Sequence, residues 1–91
     1  MARISVKMFA TVREAAGTSD CLLEADNLAD MISKLGRMFG SALSNALDQL
    51  DSDPEGLVIL VNGLNVERRN RTTLKFQDGD GVAVFPPVSG G

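Results

Sequence analysis

The pattern of apolar residues predicts an α+β fold, a mixed sheet of four to five strands with one main helix and a short extra helix. Three observations carry that expectation. Ile4, Val6 and Met8 alternate with Ser5 and Lys7, the period-2 pattern of a half-buried strand. Leu28, Met31, Ile32, Leu35 and Phe39 recur at helical spacing and form the clearest apolar stripe in the chain. Leu57-Val58-Ile59-Leu60-Val61 then returns to strand character ahead of Asn62-Gly63, the strongest short hairpin-turn signal available.

The remaining elements follow in order. Thr11 to Gly17 reads as a connection, with Gly17-Thr18-Ser19-Asp20 as turn material. Cys21 to Glu24 is a short second strand, so the first two strands form a hairpin with a long loop. Asp26 or Asn27 can cap the main helix by accepting a bond from an orphan backbone N–H. Gly36 weakens that helix without forbidding it, and Gly40 ends it. Ser41 can cap a short second helix with Leu43, Ala46, Leu47 and Leu50 on one face, stopped by the run Asp51 to Gly56. The apolar run 57–61 lacks alternation, so both its faces are covered or one is an interface. A brief strand lies near Leu64 to Val66, Glu67 to Thr73 is polar loop, and Leu74 and Phe76 are anchors. Gln77 to Gly81 is a glycine-rich turn, and Val82 to Phe85 is the last strand.

A hairpin, a crossing helix and a return to the sheet make a β-grasp. Its first and last strands lie side by side and parallel at the centre. One sheet face packs on the helix stripe. The other is open and is expected to carry Phe9 and Phe85, a patch of the kind that usually means a partner.

Composition narrows the function classes. At 91 residues the chain has room for a single core, with 44% hydrophobic and 23% charged residues. Nine Lys and Arg against twelve Asp and Glu leave a net charge of −3, which argues against nucleic acid as the main partner. A single cysteine, Cys21, makes no internal disulfide, and with no histidine neither an ordinary zinc site nor a Cys-His nucleophile pair can be assembled. Met1-Ala2-Arg3 leads straight into a strand pattern rather than a signal peptide, and the longest clean apolar run is far too short to span a bilayer. The expectation is a cytoplasmic protein with no membrane partner and no metal. Cys21, in an apolar strand, reads as a small buried hydrophobe rather than a sulfur relay. The run Glu67-Arg68-Arg69-Asn70-Arg71, without interleaved aromatics, reads as a solvated loop rather than an RNA patch. Gly79 and Gly81 lack the strand–loop–helix context of a phosphate loop and read as turn residues, while Met31 and Met38 read as core filler.

The most telling segment is Pro86-Pro87-Val88-Ser89-Gly90-Gly91. Prolines stiffen the stem and push their neighbours toward extended geometry, while paired glycines offer no side chain to pack. The expected division is a β-grasp domain over 1–85 and a flexible tail over 86–91, a thin arm that inserts its carboxylate into a narrow site.

The chain resembles a known family at several places. These are Val6-Lys7-Met8-Phe9-Ala10-Thr11-Val12-Arg13-Glu14-Ala15-Ala16-Gly17, Val61-Asn62-Gly63, Leu74 through Asp78-Gly79-Asp80, and above all Val84-Phe85-Pro86-Pro87-Val88-Ser89-Gly90-Gly91. It is similar to the small, sulfur-carrying subunit of molybdopterin synthase, a ubiquitin-like β-grasp protein. The stretch between Gly40 and Gly56 is longer and more helical than in the compact members. The resemblance implies a non-catalytic carrier subunit in molybdenum cofactor biosynthesis, whose reactive end is Gly91 with Gly90 behind it. A ubiquitin-activating-type partner would adenylate that carboxylate with ATP, and a persulfide donor would displace AMP to leave a thiocarboxylate. The sulfur would pass to a pterin precursor held in the synthase large subunit. The partner-contacting residues implied are Phe9, Phe85, Pro86, Pro87, Val88 and Ser89, and no cofactor is bound directly. Two other readings use the same activated end: a protein modifier joined to lysines through Gly91, and the sulfur carrier of thiamine synthesis.

Overall fold

The structure, a computed structural model, describes residues 2–52, 57–67, 70–71 and 73–86, with the backbone alone over 49–52. The strands are β1 (Ala2–Met8), β2 (Asp20–Ala25), β3 (Val58–Val61), β4 (Leu64–Asn65) and β5 (Gly81–Phe85). The helices are α1 (Ala10–Ala16), α2 (Leu28–Phe39) and α3 (Ser41–Ser52). The sheet order is β2-β1-β5-β3-β4, with β1 and β5 parallel and the other neighbours antiparallel. This is the expected β-grasp.

One face of the sheet presents Ile4, Val6, Met8, Leu23, Ile59, Val82 and Val84 to the helices. Val12, Leu28, Met31, Leu35, Leu43 and Leu47 close the core from the other side. Asn27 is the cap of α2: its Oδ1 accepts from the Asp30 N–H at 2.9 Å, and Asp30 Oδ2 accepts in return from the Asp26 N–H at 3.1 Å. That reciprocal pair satisfies two donors at the helix entrance. At the β3–β4 turn, Asn62 (φ 52°) and Gly63 (φ 83°) both occupy the left-handed region, as a two-residue hairpin requires.

Several expectations need correction. Thr11 to Gly17 is not an irregular connection, because Ala10–Ala16 forms α1, closed by the Gly17 N–H on the Arg13 carbonyl at 2.9 Å. The helix lacks a side-chain cap and buries only Val12, too little apolar spacing to announce itself. The extra helix is not short: α3 has 12 residues, the same as α2, and it includes Asp51 and Ser52. Ser41 is its first helical residue rather than its cap, and the Gly40 carbonyl accepts from the Ser44 N–H at 3.3 Å. The Leu50 side chain lies outside those described. Gly36 has a packing reason: a Cβ there would lie 3.1 Å from Ser44 Cβ, so the missing side chain lets α3 close on α2. Met38, in the last turn of α2, is 50% exposed and is not core filler. Gly79 is a turn residue with φ 88°, whereas Gly81 opens β5.

Candidate functional site

The site begins where β5 ends. Strand alternation sends Val82 and Val84 into the core and leaves Ala83 and Phe85 half-exposed on the open face. Register sets Lys7, Ala83 and Leu60 in one row across that face, with Val58 beside Phe85 in the next. Only one face of the apolar run 57–61 is therefore covered by helices: Ile59 is buried, while Val58 and Leu60 are half-exposed. Leu22, opposite Ser5, is 71% exposed. A shallow hollow of about 280 Å³ lies on this face between Ser5, Lys7, Asn62 and Ala83.

Phe9 comes to the same place from the end of β1. Its N–H donates to the Val84 carbonyl at 3.2 Å, extending the parallel ladder by one residue. Its own carbonyl accepts from the N–H groups of Val12 (3.2 Å) and Arg13 (3.3 Å), the first turn of α1. The chain passes from extended Phe9 (φ −130°, ψ 152°) into that helix with no linker, and Ala10 takes φ 52° to make the corner. For a residue with a Cβ, left-handed geometry costs roughly 1–2 kcal/mol and persists where the surroundings dictate it. The result is a near-parallel stack of Phe9 on Phe85, with ring centroids 4.3 Å apart and planes 9° off parallel. Such pairs add about 0.5–1.5 kcal/mol to the area they bury. The open face thus carries one stacked pair rather than two independent aromatics. Pro86, half-exposed, follows at once. Pro87, Val88, Ser89, Gly90 and Gly91, named by the sequence as tail and reactive end, lie outside the described residues.

The other candidates fall elsewhere. Cys21 is half-buried against the core; burial pushes its thiol above the ordinary range and the neighbouring Asp20 carboxylate adds to the rise. A thiol held protonated is a poor nucleophile. Arg71 departs from the solvated-loop reading. Its Nη2 donates to the Leu57 carbonyl at 2.6 Å and its Nε to the Val66 carbonyl at 3.4 Å, tying the polar loop to both ends of the β3–β4 hairpin. Sequence reasoning missed that role because its partners are backbone carbonyls set by tertiary structure. A cleft of about 570 Å³ between Asn27, Ile32, Ser44, Asp48 and Arg71 contains none of the sequence-predicted site residues. No helix among the described residues is long and apolar enough to cross a membrane.

The chain's relatives agree with this architecture. The family model described as the ThiS family matches residues 6–91. Small archaeal modifier protein 3 of Haloferax volcanii is 28% identical, over 97% of this chain and 98% of that protein. The solution structure of small archaeal modifier protein 1 from Methanosarcina acetivorans superposes with a TM-score of 0.72 at 32% identity, covering 100% of this chain and 98% of that one. A Pyrococcus furiosus structure described as molybdopterin converting factor, subunit 1, gives a TM-score of 0.66 at 26% identity, covering 97% of this chain and all (100%) of that one. A five-stranded β-grasp sheet with parallel inner strands and a match running through the end of the sequence lead to one conclusion: the chain is a ubiquitin-like β-grasp protein of the ThiS family.

Proposed function

We propose that this protein carries sulfur for molybdenum cofactor biosynthesis on the carboxylate of Gly91, as a subunit without catalysis of its own. The observation that carries the reading is the Phe9–Phe85 stack at the foot of Pro86, which places an apolar platform where the chain leaves the sheet toward Gly91. The likeness to a molybdopterin converting factor subunit at 26% identity supports the same assignment. A carboxylate is a poor electrophile, so activation comes first. In an adenylating partner of the ubiquitin-activating type, a carboxylate oxygen attacks the α-phosphorus of ATP and releases pyrophosphate. A persulfide sulfur then attacks the acyl carbon and AMP leaves. A second thiol cleaves the resulting acyl disulfide, becoming oxidised to a disulfide itself, and frees the thiocarboxylate. The large subunit of molybdopterin synthase holds the pterin precursor that receives the sulfur. This chain's part is to present the end; the partners position it for reaction.

The names of the Haloferax and Methanosarcina relatives favour a second reading with equal force: transfer of the activated acyl group to a lysine amine, giving an isopeptide bond. Both readings share the adenylate and differ in the acceptor. Intact mass of the protein from its native host tests the first reading, which expects one terminal oxygen replaced by sulfur. Lysine peptides branched with the tryptic segment that runs from Phe76 to Gly91, lost when Gly91 is removed, would assign the second.

A further inference from the structure

We infer that Phe9 is a positioning residue: its ring, held flat against Phe85, sets the direction in which the chain leaves β5 at Pro86. Phe9 cannot drift. Its N–H is tied to Val84, its carbonyl is gripped by the first turn of α1, and Ala10 holds the corner at φ 52°. With its backbone so held, the ring lies flat against Phe85 as a wall. Phe85 sits between that wall and Val58, its register partner on β3. Pro86 then restricts Phe85 to extended backbone and fixes its own φ. Once Phe85 is immobilised, little freedom remains in the direction of the next peptide unit.

The functional consequence rests on the reading that Gly91 is the reacting end. A residue that only touches the partner changes how much protein is needed to saturate it. A residue that aims the stem changes turnover once bound, because misplacing a reacting atom by about 1 Å can cost on the order of 10²-fold. Phe9 is 36% exposed and outside the buried core, so replacing it leaves the core packing in place.

The experiment compares Phe9→Leu, which keeps apolar bulk but loses the flat face, with Phe9→Tyr, which keeps the ring. Ala10→Gly loosens the corner and leaves both rings. Three-bond NMR couplings report the χ1 rotamer of Phe85 in the isolated protein. Adenylate formation with the activating enzyme and ATP gives kcat and KM. The expected result is a single Phe85 rotamer in the unaltered protein and in Phe9→Tyr, and averaging in Phe9→Leu. Phe9→Leu should lose about tenfold or more in kcat with KM nearly unchanged, and Phe9→Tyr should rescue it. Ala10→Gly should fall between them, losing turnover while its melting temperature rises. A single Phe85 rotamer in Phe9→Leu would overturn the inference. So would a rise in KM at constant kcat, which would make Phe9 a contact residue only. Should the unaltered protein itself form no adenylate, the Gly91 reading fails and the couplings alone decide: averaging in Phe9→Leu supports the clamp, and a single rotamer refutes it.

Discussion

Strand β5 is held in opposite ways at its two ends. At Gly81 it enters through a polar knot. The Gly81 N–H donates to Asn62 Oδ1 (2.9 Å), Asn62 Nδ2 to Asp80 Oδ1 (2.9 Å), and the Gln77 N–H to Asp80 Oδ2 (2.9 Å). The Asp80 carbonyl accepts from the Ser5 N–H (3.0 Å), the Arg3 N–H donates to Asp78 Oδ1 (2.8 Å), and the Arg3 carbonyl accepts from the Gly79 N–H (2.9 Å). The Asn62 and Asp80 side chains thus lock the hairpin turn to the start of β5, while the Asp78 side chain and the backbone of Gly79 and Asp80 tie in β1. At Phe85 the strand leaves between an aromatic wall and an aliphatic neighbour, on the open face. Directional bonds hold the end that must stay closed, and a ring stack guides the end from which chain must emerge.

The largest expected effect lies in the knot. Asp80→Ala removes the acceptor of the Asn62 amide and of the Gln77 N–H. It should cost about 2–3 kcal/mol, since hydrogen bonds to a charged group are each worth about 1.5–3 kcal/mol and the site is partly solvated. Urea unfolding checks it. Adenylation per folded molecule should be unchanged, because the other end of β5 is untouched.

At the opposite end the order reverses. Phe85→Ala should cost about 1 kcal/mol of stability through loss of the stack. Affinity for the adenylating partner should fall by about 2 kcal/mol, because an interface aromatic is a frequent hot spot. Calorimetric binding beside thermal melting separates the two. Loss of folding with no binding defect in the folded fraction would make Phe85 a core residue and erase the contrast between the two ends.

Ala10→Gly sharpens the comparison further. Relief of the left-handed corner outweighs the extra freedom of glycine in the unfolded chain, so stability should rise by about 0.5–1 kcal/mol. A drop in urea midpoint would mean that Ala10 carries no strain.

The smallest effect belongs to Cys21, whose thiol titrates above its ordinary range in the folded state. The unfolded chain then releases that proton at lower pH than the folded one. The contribution to stability is complete below the unfolded thiol's pKa, about 8.5, and is lost as pH rises through the folded value. Cys21→Ala should flatten the alkaline decline in melting temperature; an unchanged decline would remove the thiol from the account.

Much of this was legible in the residues, and the gaps have physical causes. The stripe from Leu28 to Phe39 and the turn at Asn62-Gly63 are local signals, and the structure has both. Alternation put Phe9 and Phe85 on one face but could not supply the 4.3 Å between their rings, which depends on the corner at Ala10. Helix α1 escaped because Val12 is its only buried residue, and seven residues are too few for an apolar stripe. The fit of Gly36 against Ser44 and the grip of Arg71 on two carbonyls arise between elements, where periodicity carries no information. The candidate site divides in the same way. The family resemblance put the reactive end at Gly91 with Gly90 behind it, outside the described residues, and what the structure adds is the ring stack beside Pro86.

The central claim is that the Gly91 carboxylate is the functional group and that reach governs its chemistry. The direct measurement removes Gly91 and incubates the shortened and full chains with the activating enzyme, ATP, a persulfide donor and a thiol that cleaves the acyl disulfide, then weighs both intact. The new end is still a glycine carboxylate, so reactivity is preserved while the end is withdrawn by roughly 3.3–3.6 Å. The account predicts one oxygen replaced by sulfur in the full chain, none in the shortened chain, and equal melting temperatures for both. Thiocarboxylate formed at the normal rate by the chain lacking Gly91 would contradict it.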